Sequence, residues 1–172
     1  MQTLHTTRQN GFTLVEVLVA LLVLSIGLLG IGKLVLFSSR ANDSAYMRSQ
    51  ATSLAYSLLD DMRANRATAL SGIGYTGSAS AATNPGAICT DASPCTSGTL
   101  LAQYDMWQWQ RDMKAALGPS ADGTVTTATV TDPVTGASNV TATITVQWDD
   151  TVAQRTFGAP AGTVVVTLET IL

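Results

Sequence analysis

An α+β fold, with one long N-terminal helix laid on an antiparallel β-sheet, is the architecture this sequence predicts. Three observations carry the prediction. No proline occurs before Pro85, and an apolar run near the N-terminus passes into a stripe of apolar residues at helical spacing. The last third of the chain alternates apolar and polar residues with the period of a strand. Gly- and Pro-containing turn signals separate the segments that follow the long helix.

The long helix is expected from about Phe12 to Arg66. Its first part has no polar residue from Val17 to Leu24 and stays apolar to Phe37, interrupted by Ser25, Gly27, Gly30, Gly32 and Lys33. Leu14 to Ile31 is about long enough to cross the hydrocarbon core of a bilayer as a helix. Arg8 and the absence of an acidic residue before the run predict that the first residues stay in the cytoplasm and the rest is exported. Farther along, Met47, Ala51, Leu54, Leu58 and Met62 make one apolar stripe, with Arg48, Gln50, Ser57 and Asp61 on other faces. This half reads as the spine of a soluble domain. The glycines at 27, 30 and 32 weaken the helix locally. They suit either close approach of another helix or a segment that unwinds on assembly.

After Arg66 the chain is rich in Ala, Ser, Thr and Gly, and Asn84-Pro85-Gly86 is a turn signal. Cys89 and Cys95 are the only cysteines. An even count and a separation of six in an exported loop favour a small disulfide clip over free thiols or part of a metal site. Leu100 to Leu117 reads as a helix capped by Thr99 and stopped by Gly118-Pro119. Tyr104, Trp107 and Trp109 on it are read as packing residues in preference to a ligand platform. Val140 to Trp148 places Val, Ala, Ile, Val and Trp on one face and Thr, Thr, Thr and Gln on the other. Thr163 to Ile171 is a second strand and Thr124 to Thr131 a weaker one, with Asp132-Pro133-Val134-Thr135-Gly136 as the turn between strands. A sheet of these strands across the helix stripe buries both apolar faces.

Composition narrows the function classes. Twelve acidic residues against nine basic ones leave a net charge of −3, with no basic surface that suggests nucleic acid. The single histidine, His5, precedes the apolar run. If the segment before Phe12 is removed, no histidine remains for general acid–base catalysis, a nucleophile pair or zinc ligation. No catalytic constellation, cofactor site or metal site is expected.

Three readings of the N-terminus compete. An ordinary signal peptide needs a small-residue cleavage site after the apolar run, and Ser38, Ser39 and Ala41 match that pattern poorly. A plain signal anchor leaves a carboxylate, Glu16, inside an apolar segment without a purpose. The third reading rests on Gly11-Phe12-Thr13-Leu14-Val15-Glu16 between a basic leader and a transmembrane run. This sequence resembles the class III signal of type IV prepilins.

The resemblance implies a pilin-like fold and a division into a leader (1–11), a transmembrane and filament-core helix (12–37) and an exported domain (38–172). It implies that a membrane prepilin peptidase cuts between Gly11 and Phe12 and methylates the new amine of Phe12. Cutting before the apolar run retains the helix, and glycine lets a protease approach the backbone closely. The resemblance further implies that Glu16 meets the Phe12 amine of a neighbouring subunit, setting register where water is excluded.

Later segments are similar to the type IV pilus modification protein PilV family: Leu58-Leu59-Asp60-Asp61-Met62-Arg63-Ala64-Asn65-Arg66, the Cys89 and Cys95 pair followed by Tyr104-Asp105-Met106-Trp107 and Trp109, and Val146-Gln147-Trp148 followed by Arg155. That similarity implies a minor pilin at or near the filament tip that initiates assembly. Its partners are then other minor pilins, the major pilin, the assembly platform and a tip adhesin, with the inner membrane as anchor and the domain in the periplasm. A minor pseudopilin of a type II secretion system shares the same physics. A membrane-anchored enzyme or sugar-binding domain needs a site that the sequence does not display.

Overall fold

A computed structural model describes residues 11–86, 89, 95–131, 133–134, 136–150 and 162–172. Two compact units are present, one ending at Ser39 and the other running Arg40–Leu172. The elements in chain order are α1 (Leu14–Ala64), α2 (Arg66–Ser71), β1 (Gly77–Ser78), a 3-10 turn (Ala79–Ala81), α3 (Gly98–Leu117), β2 (Asp122–Thr131), β3 (Ser138–Asp149) and β4 (Thr163–Ile171).

In the first unit α1 is unbroken through Gly27, Gly30 and Gly32. None of residues 11–39 is buried. Every large apolar side chain from Phe12 to Phe37 is at least 43% exposed, so this half of the helix is apolar all round. Such a surface requires an apolar solvent or other helices to cover it.

In the second unit the helix face changes character. Ala51, Ala55, Leu58, Leu59 and Met62 of α1 are buried, while Met47 and Leu54 are only partly covered. The face is broader than the expected stripe, because α3 as well as the sheet packs near it. Trp109 of α3 donates its indole N–H to the Leu54 carbonyl at 3.0 Å. Ser44 donates to Asp150 Oδ2 at 2.7 Å, tying α1 to the end of β3.

The long helix ends at Ala64, short of Arg66, and the reason is Asn65. Its backbone leaves the helical region (φ −104°, ψ 45°), and its amide donates to the Gly98 carbonyl at 2.6 Å. Asn side chains readily trade helix geometry for such local bonds. The chain turns there into α2.

Helix α3 starts at Gly98, capped by Ser97, whose hydroxyl accepts from the Leu100 N–H at 3.2 Å. Thr99, expected as the cap, lies inside the first turn. A side chain at Gly98 would run into Thr68, and its Cβ would stand 2.7 Å from Asn65 Oδ1, so glycine permits the close approach of α2 to α3. The inner face of α3 carries Ala102, Met106, Trp109, Gln110, Met113 and Leu117.

The sheet is an antiparallel meander in the order β1-β2-β3-β4. Its register aligns Gly123 with Val146 and Val166, and Val125 with Ile144 and Leu168. Val125, Ala142, Ile144, Val146, Trp148 and Val164 are buried, which is the alternation that the sequence of β3 displays. The opposite face carries Thr124, Thr145 and Thr167 in one cross-strand row. β2 and β3 are joined across Thr131 and Ser138. Pro133 and Val134 lie in the expected turn, whereas Asp132 and Thr135 fall outside the described residues. β1 was not foreseen. It is two residues long, and Ser78 bonds to Asp122 of β2 at 3.1 Å.

Candidate functional site

Gly11 and Phe12 precede the helix and are exposed. Thr13 opens it: its hydroxyl accepts from the Glu16 N–H at 3.3 Å and its carbonyl accepts from the Glu16 and Val17 N–H groups. Thr13 and Glu16 thus have the spacing of a capping box, which sequence inspection overlooks when it attends only to the cleavage signal. The signal T-x-x-E before an apolar run was available in the sequence. The cap, one residue after Phe12, starts the helix at Leu14, and Glu16 in the first turn complements the positive end of the helix dipole.

Phe12 stands just before the helix and Glu16 in its first turn. With Val17, Ala20, Leu21 and Leu24 they line a shallow, mostly apolar groove of about 480 Å³. No salt bridge engages Glu16 among the described residues. A Cβ at Gly11 would meet no atom within 4 Å. Among the described residues, glycine there has no packing partner that a side chain would displace. The same is true of Gly27, Gly30 and Gly32, whose open surfaces suit a second helix.

Cys89 and Cys95 are joined in a disulfide with Cα atoms 5.0 Å apart. Cys89 lies at the rim of a recess of about 310 Å³ between α1 and α3, which Leu54, Asp61, Tyr104, Asp105 and Asp112 also line. The three aromatics of α3 divide. Trp109 is in the core as expected, whereas Tyr104 and Trp107 are half-buried neighbours at 5.9 Å with the Arg111 guanidinium 4.9 Å over the Trp107 ring.

A polar knot next to the recess escaped the sequence reading. Tyr75 is fully buried, and its hydroxyl donates to Asp105 Oδ2 at 2.5 Å. Asn65, which holds Gly98, also reaches the Tyr75 hydroxyl at 3.4 Å. Burial, followed by the charges of Asp105 and Asp60, pushes the Asp61 carboxyl up to about 6. Burial also raises Asp105, against the opposing pull of the Tyr75 bond. The knot clamps the α1–α2 corner to α3 and offers no nucleophile–base pair. Among the described residues no group of three or more His, Cys, Asp or Glu side chains could hold a metal ion.

A family model described as the prokaryotic N-terminal methylation motif matches residues 6–32, and one described as type IV pilin Tt1218 matches residues 35–107. The chain is a type IV pilin-like protein. No curated protein and no solved structure gives a match. The first matched segment contains Gly11, Phe12, Thr13 and Glu16 and most of the apolar helix. The second covers the buried face of α1, the Asn65 corner, Tyr75, the disulfide and the first half of α3.

Strands β2, β3 and β4 lie beyond both segments, and the pilin-type α+β arrangement is completed there by the structure itself. Type IV pilins are structural subunits rather than enzymes. The methylation motif implies processing by prepilin peptidase and assembly with other pilins. The apolar helix points to membrane anchoring and incorporation into a pilus.

Proposed function

We propose that this pilin-like chain is a minor type IV pilin. It is cut between Gly11 and Phe12, methylated on Phe12, and works with other minor pilins to initiate the filament, at or near its tip. The observation that supports this most directly is the exposed Gly11-Phe12 pair standing immediately before a capped helix that is apolar on every side. A peptidase at the membrane surface reaches that bond without unfolding any helix. After cleavage the whole apolar segment remains attached to the exported domain.

Glu16 supplies the register. Its carboxylate sits on an apolar groove with Phe12, and the terminal amine of a neighbouring subunit neutralises it where packed helices exclude water. The domain after residue 37 faces the periplasm because Arg8 and the absence of acidic residues hold the leader on the cytoplasmic side. The similarity of the Leu58–Arg66 and Cys89–Trp109 segments to the PilV family supports the minor-pilin assignment over a major subunit. No enzymatic role is proposed.

Mass spectrometry of the mature N-terminus tests the processing step, with methylated Phe12 as the expected first residue. Gly11→Val should accumulate as uncut membrane protein while the exported domain folds normally, because a Cβ at residue 11 meets nothing within 4 Å among the described residues. A mature terminus near residues 38–42 overturns the reading. Deletion of the gene, scored for surface pili with and without retraction and for protein secretion, tests the assembly role. Loss of secretion with normal piliation assigns the chain to a secretion pseudopilus instead.

A further inference from the structure

We propose that Lys33 binds lipid headgroup phosphate at the second membrane interface and so fixes which part of α1 lies in hydrocarbon. The inference rests on the membrane-anchored pilin reading and concerns a residue to which that reading gives no task. Between Leu14 and Phe37 the only charged side chains are Glu16 and Lys33. Lys33 is exposed, lies on an open apolar surface with Leu28, Leu29, Val35 and Leu36, and has no salt bridge among the described residues.

Length makes its position informative. From Leu14 to Phe37 the apolar part of the helix is 24 residues, about 36 Å, against a hydrocarbon core of about 30 Å. About one turn must therefore lie outside the core, or the helix must tilt. From Leu14 to Lys33 is 20 residues, about 30 Å, which matches the core without tilt. The next cation, Arg40, is seven residues farther, about 10 Å. Anchoring there draws the ammonium of Lys33 into hydrocarbon, where a charge is strongly disfavoured. With Lys33 at the phosphates, its methylene stem lies along the apolar wall and the ammonium reaches the headgroup. Leu34, Val35 and Leu36, each more than 60% exposed, then emerge into the interfacial zone. They form the first apolar turn available to an incoming subunit.

The test uses purified full-length protein in vesicles of phosphatidylethanolamine and phosphatidylglycerol. Single nitroxide labels enter through Leu22→Cys, Ile31→Cys, Leu34→Cys and Leu36→Cys, and depth is read from collision with oxygen against a water-soluble nickel chelate. In the otherwise native chain, labels at 22 and 31 should lie in hydrocarbon and the label at 36 in the headgroup zone. Lys33→Leu should move the labels at 34 and 36 inward by about one helical turn, and Lys33→Arg should keep the native depths.

In vesicles of a phosphate-free galactolipid the native chain should show the Lys33→Leu profile. Unchanged depths in Lys33→Leu overturn the proposal. Native depths kept in galactolipid overturn the phosphate contact. A label at 22 that sits in water overturns the membrane reading itself, an outcome distinct from both.

Discussion

Gly123→Ala is the substitution whose cost follows most directly from the packing. A Cβ built at Gly123 points at the Trp109 ring, 2.5 Å from its Cζ3, and stands 2.9 Å from Met113 Cε. Ordinary carbon–carbon contact is about 3.5–4.0 Å. The methionine end can swing aside, but the indole cannot. Its ring is 4% exposed, and its N–H is held by the Leu54 carbonyl at 3.0 Å. Moving it by about an ångström overpacks the core at about 1–3 kcal/mol. It also strains a hydrogen bond worth about 1 kcal/mol.

Restricting the unfolded chain by replacing a glycine offsets about 0.5–1 kcal/mol of this. A net loss of about 1–3.5 kcal/mol is expected. The assay is urea unfolding of the detergent-solubilised chain, followed by tryptophan fluorescence and near-ultraviolet circular dichroism. Combining the substitution with Trp109→Phe should recover part of the loss, because the smaller ring leaves room for the methyl group. A loss under about 0.5 kcal/mol with unchanged aromatic dichroism refutes the argument that Gly123 exists to admit Trp109.

Three further outcomes follow from the sites. Glu16→Gln should be processed and folded normally yet pair poorly with partner pilins. Removing one partner of a desolvated ion pair costs about 3–5 kcal/mol, enough for at least a tenfold drop in filaments counted by electron microscopy beside a co-purification. Burial, followed by the charges of Asp105 and Asp60, pushes Asp61 from its ordinary 3.8 up to about 6, so the folded state binds the proton more tightly between those values. Stability should therefore be highest below about pH 4 on this account and fall as pH rises through 6, by about 1 kcal/mol after allowing for solvent screening of a partly exposed group. Asp61→Asn should flatten that part of a melting-temperature profile. Opening the Cys89–Cys95 link by Cys89→Ser with Cys95→Ser should cost about 2–3 kcal/mol in urea unfolding, since the link closes so short a loop.

The sequence displayed those parts of the molecule that obey a period or a linear signal. The alternation from Val140 to Trp148 gave the buried face of β3 residue by residue, because in a strand facing depends only on parity. The apolar run and Gly11–Glu16 displayed the methylation-motif segment, because such a motif is linear. What remained hidden depends on partners distant in sequence. Leu59 and Ala55 joined the α1 face because α3 packs beside the sheet. Asn65 ends the helix by bonding to Gly98, 33 residues away. Tyr75 binds Asp105 from 30 residues away, and no local pattern announces it. β1 is two residues long and carries no period at all.

The meander has a consequence for the order in which the molecule can be completed. β2, β3 and β4 are neighbours in space because they are neighbours in sequence, so each pairing closes a short loop. The face of α1 that they help to cover, Ala51 to Met62, belongs to the first half of the chain, whereas Trp148 and Val164 belong to its end. A ribosome therefore releases the apolar face long before it releases the strands that shield it. During that interval Leu58, Leu59 and Met62 are a sticky stripe, hazardous when many copies are made together. The polar knot around Tyr75 and α3 is synthesised in between, and it can hold one flank of that stripe until the last strand arrives.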